Sequence, residues 1–237
     1  MAYYGVPVTV VVLSGQTRYA DPWHPIADTS KAIAGLCQEL GLSVEIRSDT
    51  DPAGWADLAG VELLVVNSGA GMPDQPLQPD PVWAPVYEAV AGYAAGGGRI
   101  LGVHTAANAF PEWPGWADII ATGWEPGRSG HPRRSLAVFQ PAEGAADHPV
   151  FAGLPVLPEA GGPGVIAYDE RYWGLVLRDS VTPLMRHESA DTWHTMGWCV
   201  GDRVLFDGLG HDLRSYASPS RRRYLTNAVR WLLGLGD

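Results

Sequence analysis

The stretch from Gly96 to Phe110, GGGRILGVHTAANAF, constrains the fold of this chain more than any other segment. Its apolar run Ile100, Leu101 and Val103 is typical of a buried strand, and the alanine-rich piece that follows begins like a helix. A strand that turns sharply into a helix presents one side chain at the carboxyl edge of a sheet. Here that side chain is His104, and the N–H groups of the helix start are expected to point to the same place.

Apolar strands alternate with helical patterns through the first hundred residues. Strands are predicted at 6–13, 42–47, 61–67 and the segment that ends at His104, and helices from Thr29 or Ser30 to Gly41 and over 83–95. Near-continuous apolar strands separated by helices indicate an α/β fold with a parallel sheet covered on both faces. The loops 14–28 and 68–80 and the turn at His104 leave the carboxyl edge of this sheet, where ligands bind in such folds.

The second half has a different pattern of short strands and tight polar turns. A short helix is predicted at 113–120, and strands at 135–140, 165–173, 181–186, 193–200 and 203–209. At least the last two strands are expected to pair antiparallel, joined by the turn at Gly201-Asp202. Ser218 or Ser220 is predicted to cap a final helix. Because no internal repeat or low-complexity segment marks a boundary, residues 1–237 are interpreted as a single domain.

Charge and cysteine usage narrow the function. The formal net charge of −10 and the pI near 5.0 exclude binding along a nucleic-acid backbone, which needs a basic surface. The basic run 221–223 fits either a solvated helix face or a phosphate contact. Cys37 and Cys199 form no CxxC pair and are predicted to be small core residues, which favours a reducing compartment. The N-terminal apolar run is too short for a membrane span or signal, so a soluble, cytoplasmic protein is expected.

Histidines dominate the candidate site residues. Five of the seven lie in or just after predicted loops: His24, His104, His131, His148 and His211. Sequence spacing alone gives little support to a metal, since HExxH is absent, but a site built from distant loops leaves no such motif, and a divalent metal remains compatible. His148 is expected to cap backbone. His187 and His194 lie in strand patterns and are expected to face solvent.

Paired carboxylates add the acid group that such a site needs. Adjacent residues on a strand point to opposite faces, so only one of Asp169 and Glu170 is expected to face a given pocket. His211 follows the apolar strand Val204-Leu205-Phe206, just as His104 follows its own strand. Two histidines after two strand ends, with a carboxylate from a third segment, form an acid–base set.

The ordered motifs resemble the ThuA-like family, which is named for trehalose utilisation. They are the early loop with His24, GGGRILGVH with His104, the tryptophan- and glycine-containing region before His131, HPVFAGLP, YDERY and GDRVLFDGLGHD. The resemblance covers nearly the whole chain. It implies a flavodoxin-like sheet of the class I glutamine amidotransferase-like superfamily.

Amidotransferase activity is not expected, because it needs a thiolate at the elbow position. That position is His104, neither cysteine lies at a strand-to-helix turn, and no GxSxG is present to supply a serine nucleophile.

The resemblance instead implies a carbohydrate substrate, a keto-sugar or disaccharide derivative. In this hypothesis His104 and His211 transfer protons while Asp169 or Glu170 orients or assists. The residues assigned to substrate binding are His24, Ser68, Trp113, His131 and Tyr172. A metal is the alternative ligand for His24 and His131. Trp23 and Trp124 also suit stacking on a sugar.

Two alternatives stay open, a non-catalytic sugar-binding module and a metal-dependent hydrolase. The expected partner is a small carbohydrate, with no nucleic acid or membrane, and homo-oligomerisation is left open.

Overall fold

A computed structural model describes residues 9–158 and 161–236 of the chain. The longer strands are β1 (Thr9–Ser14), β2 (Ser43–Ser48), β3 (Leu63–Asn67), β4 (Arg99–Val103), β6 (Ser135–Pro141), β9 (Val165–Asp169), β11 (Thr182–Ser189), β12 (Thr192–Val200) and β13 (Val204–Asp207). Two-residue strands are β5 (Thr122–Gly123), β7 (Val156–Leu157), β8 (Gly162–Pro163) and β10 (Val176–Leu177). The helices are α1 (Ile26–Glu39), α2 (Pro52–Ala56), α3 (Ala84–Ala95), α4 (Pro114–Ile119), α5 (Leu213–Tyr216) and α6 (Pro219–Leu233). Short 3₁₀ helices cover Pro81–Trp83, His104–Asn108 and Pro149–Phe151.

The longer strands form one sheet in the order β2-β1-β3-β4-β13-β12-β11-β6-β9. The first five strands in this order are parallel, and the pairs from β13 to β9 are antiparallel. This confirms the predicted α/β fold with antiparallel strands in the C-terminal half, including the pairing of β12 with β13. Residues 6–8 of the first predicted strand lie outside the described residues. In the part of the chain that the structure describes, no helix is long and apolar enough to cross a membrane.

Both faces of the parallel part of the sheet are covered. Val10 and Val12 of β1 pack in the cluster that contains α1 and α6 residues, whereas Val11 and Leu13 pack in the cluster that contains α3. Each fully buried aliphatic side chain contributes about 1.5–3 kcal/mol of transfer free energy. The strand is therefore apolar at successive positions, and the sequence of β1 shows no alternation.

The cap predicted for α1 is wrong, and the cap predicted for α6 is right. Pro25 is the N-cap of α1, about one turn before the predicted Thr29 or Ser30. Those two hydroxyls instead accept hydrogen bonds from Asn67 Nδ2, both at 2.9 Å, at the end of β3. They attach the helix to the sheet. Ser218 caps α6 by accepting a hydrogen bond from the Arg221 N–H.

Arg221 has neither of the roles predicted for the basic run. It is fully buried, and its Nη2 lies 2.7 Å from Asp207 Oδ2 and donates to the Leu209 carbonyl at 3.0 Å. Burial raises the pKa of Asp207, and the Arg221 charge opposes that rise. Arg222 pairs with Glu39 at the surface. The buried pair therefore fixes the chain where it leaves the carboxyl end of β13.

The structure also confirms what the sequence predicts for the two cysteines and for His148. Cys37 and Cys199 are both buried and unpaired, as predicted for small core residues. His148 Nδ1 accepts a hydrogen bond from the Val150 N–H at 3.3 Å, which confirms its capping role.

Replacing Arg221 by Met is expected to lower the free energy of unfolding by about 3–5 kcal/mol, because Asp207 is left as a buried, unpaired acid. Urea denaturation measures this change. The matched control is Arg222→Met, which breaks an exposed pair and is expected to cost about 0–1 kcal/mol. Equal losses in the two variants would show that the buried pair stabilises the fold no more than the exposed pair does.

Candidate active site

The turn after β4 holds His104 in a strained conformation. His104 has φ of +49°, in the left-handed region that non-glycine residues rarely adopt. The predicted helix after it is wrong, since only a 3₁₀ helix of five residues follows. Pro111 disfavours the helical conformation at the preceding residue, and Phe110 has φ of +50°. The segment is too short for the anion-binding helix start that the sequence predicted. What the turn provides is a fixed direction for the imidazole.

The ring of His104 is oriented by a backbone carbonyl. Its Nδ1 lies 2.6 Å from the Gly208 carbonyl oxygen, which can only accept, so Nδ1 carries the proton. Its Nε2 lies 2.9 Å from the Tyr172 hydroxyl and 3.4 Å from Glu170 Oε2. His104 and Glu170 are both buried.

His24 is oriented in the same manner by a carboxylate. Its Nδ1 lies 2.7 Å from Asp21 Oδ1, and its Nε2 lies 3.6 Å from Glu170 Oε2. Burial disfavours the charged imidazole, but the hydrogen bond to Asp21 and the nearby charge of Glu170 outweigh burial and raise the pKa of His24 to about 9. Without another cation, His24 carries a proton between two carboxylates.

His211 completes the cluster. Its Nδ1 lies 3.2 Å from Glu170 Oε1, and burial lowers its pKa. The ring centroid of His24 lies 4.2 Å from that of His211 and 4.9 Å from that of His104. Burial tends to raise the pKa of Glu170, but the contacts with His104, His211 and His24 hold it well below its usual range. Three imidazoles thus surround one ionised carboxylate.

These four side chains fit a divalent metal ion. One ligand atom from each of His24, His104, Glu170 and His211 can be chosen so that all lie within 4.8 Å of one another. Three imidazole nitrogens and a carboxylate oxygen suit divalent transition metals such as zinc or manganese. Metal-binding histidines generally donate their other N–H to a carboxylate or carbonyl, as His24 and His104 do here.

The hydrogen-bonding of the cluster is incomplete without a cation. His24 Nε2, Glu170 Oε2 and both ring nitrogens of His211 are buried and have no hydrogen-bond partner among the described residues. Buried polar atoms normally have partners, because leaving them unpaired is costly. A single cation at the centre would satisfy His24 Nε2, Glu170 Oε2 and one of the two His211 nitrogens together.

Asp169 and Glu170 point in opposite directions, as expected for neighbours at a strand end. Glu170 faces the histidines, whereas Asp169 faces the loop after β13. Asp169 Oδ2 accepts from the Gly210 N–H at 2.8 Å, and its Oδ1 accepts from the His211 N–H at 3.2 Å. Asp169 therefore holds the loop that carries His211, and only Glu170 is placed for the acid–base or ligand role predicted for one of the two.

Two cavities beside the cluster are each lined by both His24 and Glu170. The inner cavity of about 140 Å³ is lined by Asp21, Trp23, His24, Thr105, Ala107, Asn108, Trp124, His131, Glu170 and Tyr172. The outer cavity of about 390 Å³ is lined by Trp23, His24, His131, Arg134, Glu170 and His211. A larger cavity of about 560 Å³ lies over the outer face of β6 and β9 and shares no lining residue with the cluster. The histidines and Glu170 of the cluster therefore lie at the inner and outer cavities and not at this larger one.

The structure brings most of the predicted site residues together. His131 lies at the mouth, with 36% of its side chain exposed and its Nδ1 3.4 Å from Glu170 Oε1. Tyr172 is buried beside His104.

Two predicted substrate-binding residues lie elsewhere. Ser68 is fully buried and lines neither cavity. Trp113 stacks on Tyr87 at 5.1 Å and packs against Phe110, in the aromatic core beyond the elbow. Ser68 follows a strand and Trp113 lies near the elbow, but neither side chain lines a cavity of the site.

His187 was expected to face solvent and is instead buried. Its Nε2 lies 2.8 Å from the Tyr172 carbonyl, so it supports the segment behind the site. Asp21 and Arg134 are site residues that the sequence reasoning missed. An acid three residues before a loop histidine, as in Asp21 and His24, is a signal that was available.

In the metal-free protein, His24 is expected to titrate with a pKa of about 9, and Asp21→Asn to shift that pKa back toward 6.5. Because folding raises the pKa, the stabilisation from protonated His24 is complete below pH 6.5 and is lost as the pH rises through about 9. NMR titration of the imidazole nitrogens measures the shift, with the exposed Asp28→Asn as control. A wild-type pKa at or below the usual value would contradict this assignment.

Comparisons with known proteins agree with this architecture. A structure of a ThuA-like protein from Parabacteroides merdae aligns with a TM-score of 0.74 at 18% identity, covering 96% of this chain and 90% of that one. A ThuA-like protein from Bacteroides uniformis aligns with a TM-score of 0.71 at 16% identity, covering 98% and 94%. A glutamine amidotransferase from Thermotoga maritima aligns with a TM-score of 0.54 at 11% identity, covering 97% of both chains. At these identities the likeness shows the fold, which is the predicted glutamine amidotransferase-like one.

Sequence comparison identifies the family. No curated protein matches the chain significantly. The family model ThuA, described as trehalose utilisation, matches residues 9–232. This confirms the resemblance drawn from the ordered motifs: the chain belongs to the ThuA family.

Proposed function

We propose that this protein is a metal-dependent enzyme that acts on a carbohydrate, with a keto-sugar or a disaccharide derivative as substrate. One observation carries the proposal: three buried imidazoles and a carboxylate, His24, His104, His211 and Glu170, present ligand atoms within 4.8 Å of one another. The substrate class is taken from the trehalose-utilisation description of the family.

A cation accounts for this cluster better than protons do. The Nδ1 atoms of His24 and His104 are committed to Asp21 and Gly208, so both Nε2 atoms are directed toward Glu170 Oε2, at 3.6 and 3.4 Å. A proton on His24 satisfies only one of these contacts, and burial disfavours a second on His211. One divalent cation compensates the carboxylate and all three imidazoles together. His104 and His211 are therefore proposed as ligands in place of the proton-transfer role.

The surrounding residues supply the remaining functions. A divalent cation bound here would polarise a carbonyl or hydroxyl oxygen of the substrate. Burial raises the pKa of Tyr172 well above its usual value, so its hydroxyl, next to His104, stays protonated and can donate a hydrogen bond to an oxygen of the substrate. His131 lies between the cluster and solvent, where it can exchange protons with water.

The cavity walls suit a sugar. Trp23 is 64% exposed and borders both cavities, and Trp124 faces the inner one. Flat indole faces stack on the C–H faces of sugar rings, and Thr105 and Asn108 offer hydrogen bonds to hydroxyl groups within the inner cavity.

Metal-free protein titrated with Zn²⁺ or Mn²⁺ is expected to bind one equivalent. Losing a residue that hydrogen-bonds to a metal ligand costs about 10–100-fold in metal affinity, so losing a ligand itself in Glu170→Gln or His211→Ala is expected to cost at least about 100-fold. Isothermal titration calorimetry measures both constants. His194→Ala, outside the cluster, is the control and should bind like wild type. Absence of a bound equivalent in wild type would end the metal proposal.

Turnover of trehalose oxidised to a ketone tests the enzymatic part. His104→Ala is expected to lose metal binding and turnover together, whereas Tyr172→Phe should retain the metal and lose about 10²–10³-fold in kcat through the lost hydrogen-bond donor. Product analysis by chromatography and the thermal midpoint of each variant are the measurements. Full activity in His104→Ala would remove that residue from the mechanism. Binding of the sugar by wild type without turnover would favour a non-catalytic binding module.

A further inference from the structure

The outer cavity carries a basic group that the proposed function does not use. Arg134 lines this cavity together with His24, Glu170 and His211, three of the four proposed metal ligands. A molecule that fills the cavity therefore contacts the cluster and the guanidinium at once. Among the residues lining the inner and outer cavities, Arg134 is the only one whose charge is permanently positive.

Arg134 is held in place and keeps donors free. Its Nη1 donates to Asp212 Oδ2 at 2.6 Å, and Asp212 is its only hydrogen-bonding partner among the described residues. The same carboxylate accepts from Nε and Nη2 of Arg214, at 3.1 and 2.6 Å. Two guanidinium groups thus share one carboxylate, which leaves one positive charge uncompensated. Nε and Nη2 of Arg134 remain available as the fork that matches a carboxylate or phosphate.

This local charge is opposite to that of the whole chain. With a formal net charge of −10, the protein as a whole repels anions. The outer cavity has Glu170 as its single acidic lining residue, and the proposed cation compensates it. The neutral hydrogen-bonding side chains Thr105 and Asn108, which suit sugar hydroxyl groups, line the inner cavity instead.

We propose that the substrate is an anionic carbohydrate, whose carboxylate or phosphate group is bound by Arg134 in the outer cavity. The sugar ring lies in the inner cavity between Trp23 and Trp124, and the anionic group lies on the other side of His24 and Glu170, which border both cavities. The proposal rests on the proposed function for the identity of the ligand as substrate. The charge preference itself does not require turnover.

Calorimetric titration of metal-loaded protein with D-glucuronate, D-glucose 6-phosphate and D-glucose tests the preference. Hydrogen bonds to charged groups contribute about 1.5–3 kcal/mol, so one of the anionic sugars is expected to bind at least about ten-fold more tightly than glucose. Tighter binding of glucuronate assigns a carboxylate, and tighter binding of the phosphate ester assigns a phosphate. Arg134→Gln is expected to abolish the difference, and Arg133→Gln, at the exposed neighbouring position, is expected to retain it.

Three results would overturn the proposal: glucose binding as tightly as both anionic sugars, a preference that survives in Arg134→Gln, or no binding of any of the three sugars. The same titrations on metal-free protein separate this outcome from failure of the proposed function. If wild type binds no metal but Arg134 still determines an anion preference, the metal proposal fails and the charge assignment stands.

Discussion

The contact of one buried carboxylate with three imidazoles is the interaction on which the site depends. Glu170 contacts His24, His104 and His211, which come from three segments far apart in the sequence. Two of these histidines follow β4 and β13, which are neighbours in the sheet, and the third lies in the loop after β1. The parallel sheet thus delivers the imidazoles to one edge, and Glu170 reaches them from the antiparallel part.

The rigidity of this arrangement comes from buried groups that do not face the cavities. Asp169 binds the N–H groups of Gly210 and His211, while Asp207 and Arg221 fix the start of the same loop. The loop carbonyl at Gly208 in turn orients His104. A metal ligand must be held within a few tenths of an ångström to bind well, so such support is as necessary as the ligands themselves.

Much of this could be predicted from the sequence, because strands buried on both faces leave continuous apolar runs and parallel strands place their ends together. The convergence of His24, His104 and His211 followed from that rule, whereas the choice of Glu170 over Asp169 did not. The positions of Ser68 and Trp113 did not, because side-chain direction in a loop depends on local packing that a pattern does not encode. Arg221 was misjudged for a related reason: its burial depends on Asp207, a partner fourteen positions away that only the fold brings beside it.

The pairing of β9 with β6 has a consequence for the identity of the acid in the site. Ser135 lies opposite Asp169, and the ladder continues to Phe139 opposite Val165, so the register fixes which face each side chain of β9 occupies. A slip of one residue would turn every side chain to the other face and exchange the two neighbouring acids. The choice between a loop anchor and a group that faces the ligand is therefore made by backbone hydrogen bonds at the far margin of the sheet. Interstrand alignment, more than the chemistry of either carboxyl group, assigns their tasks.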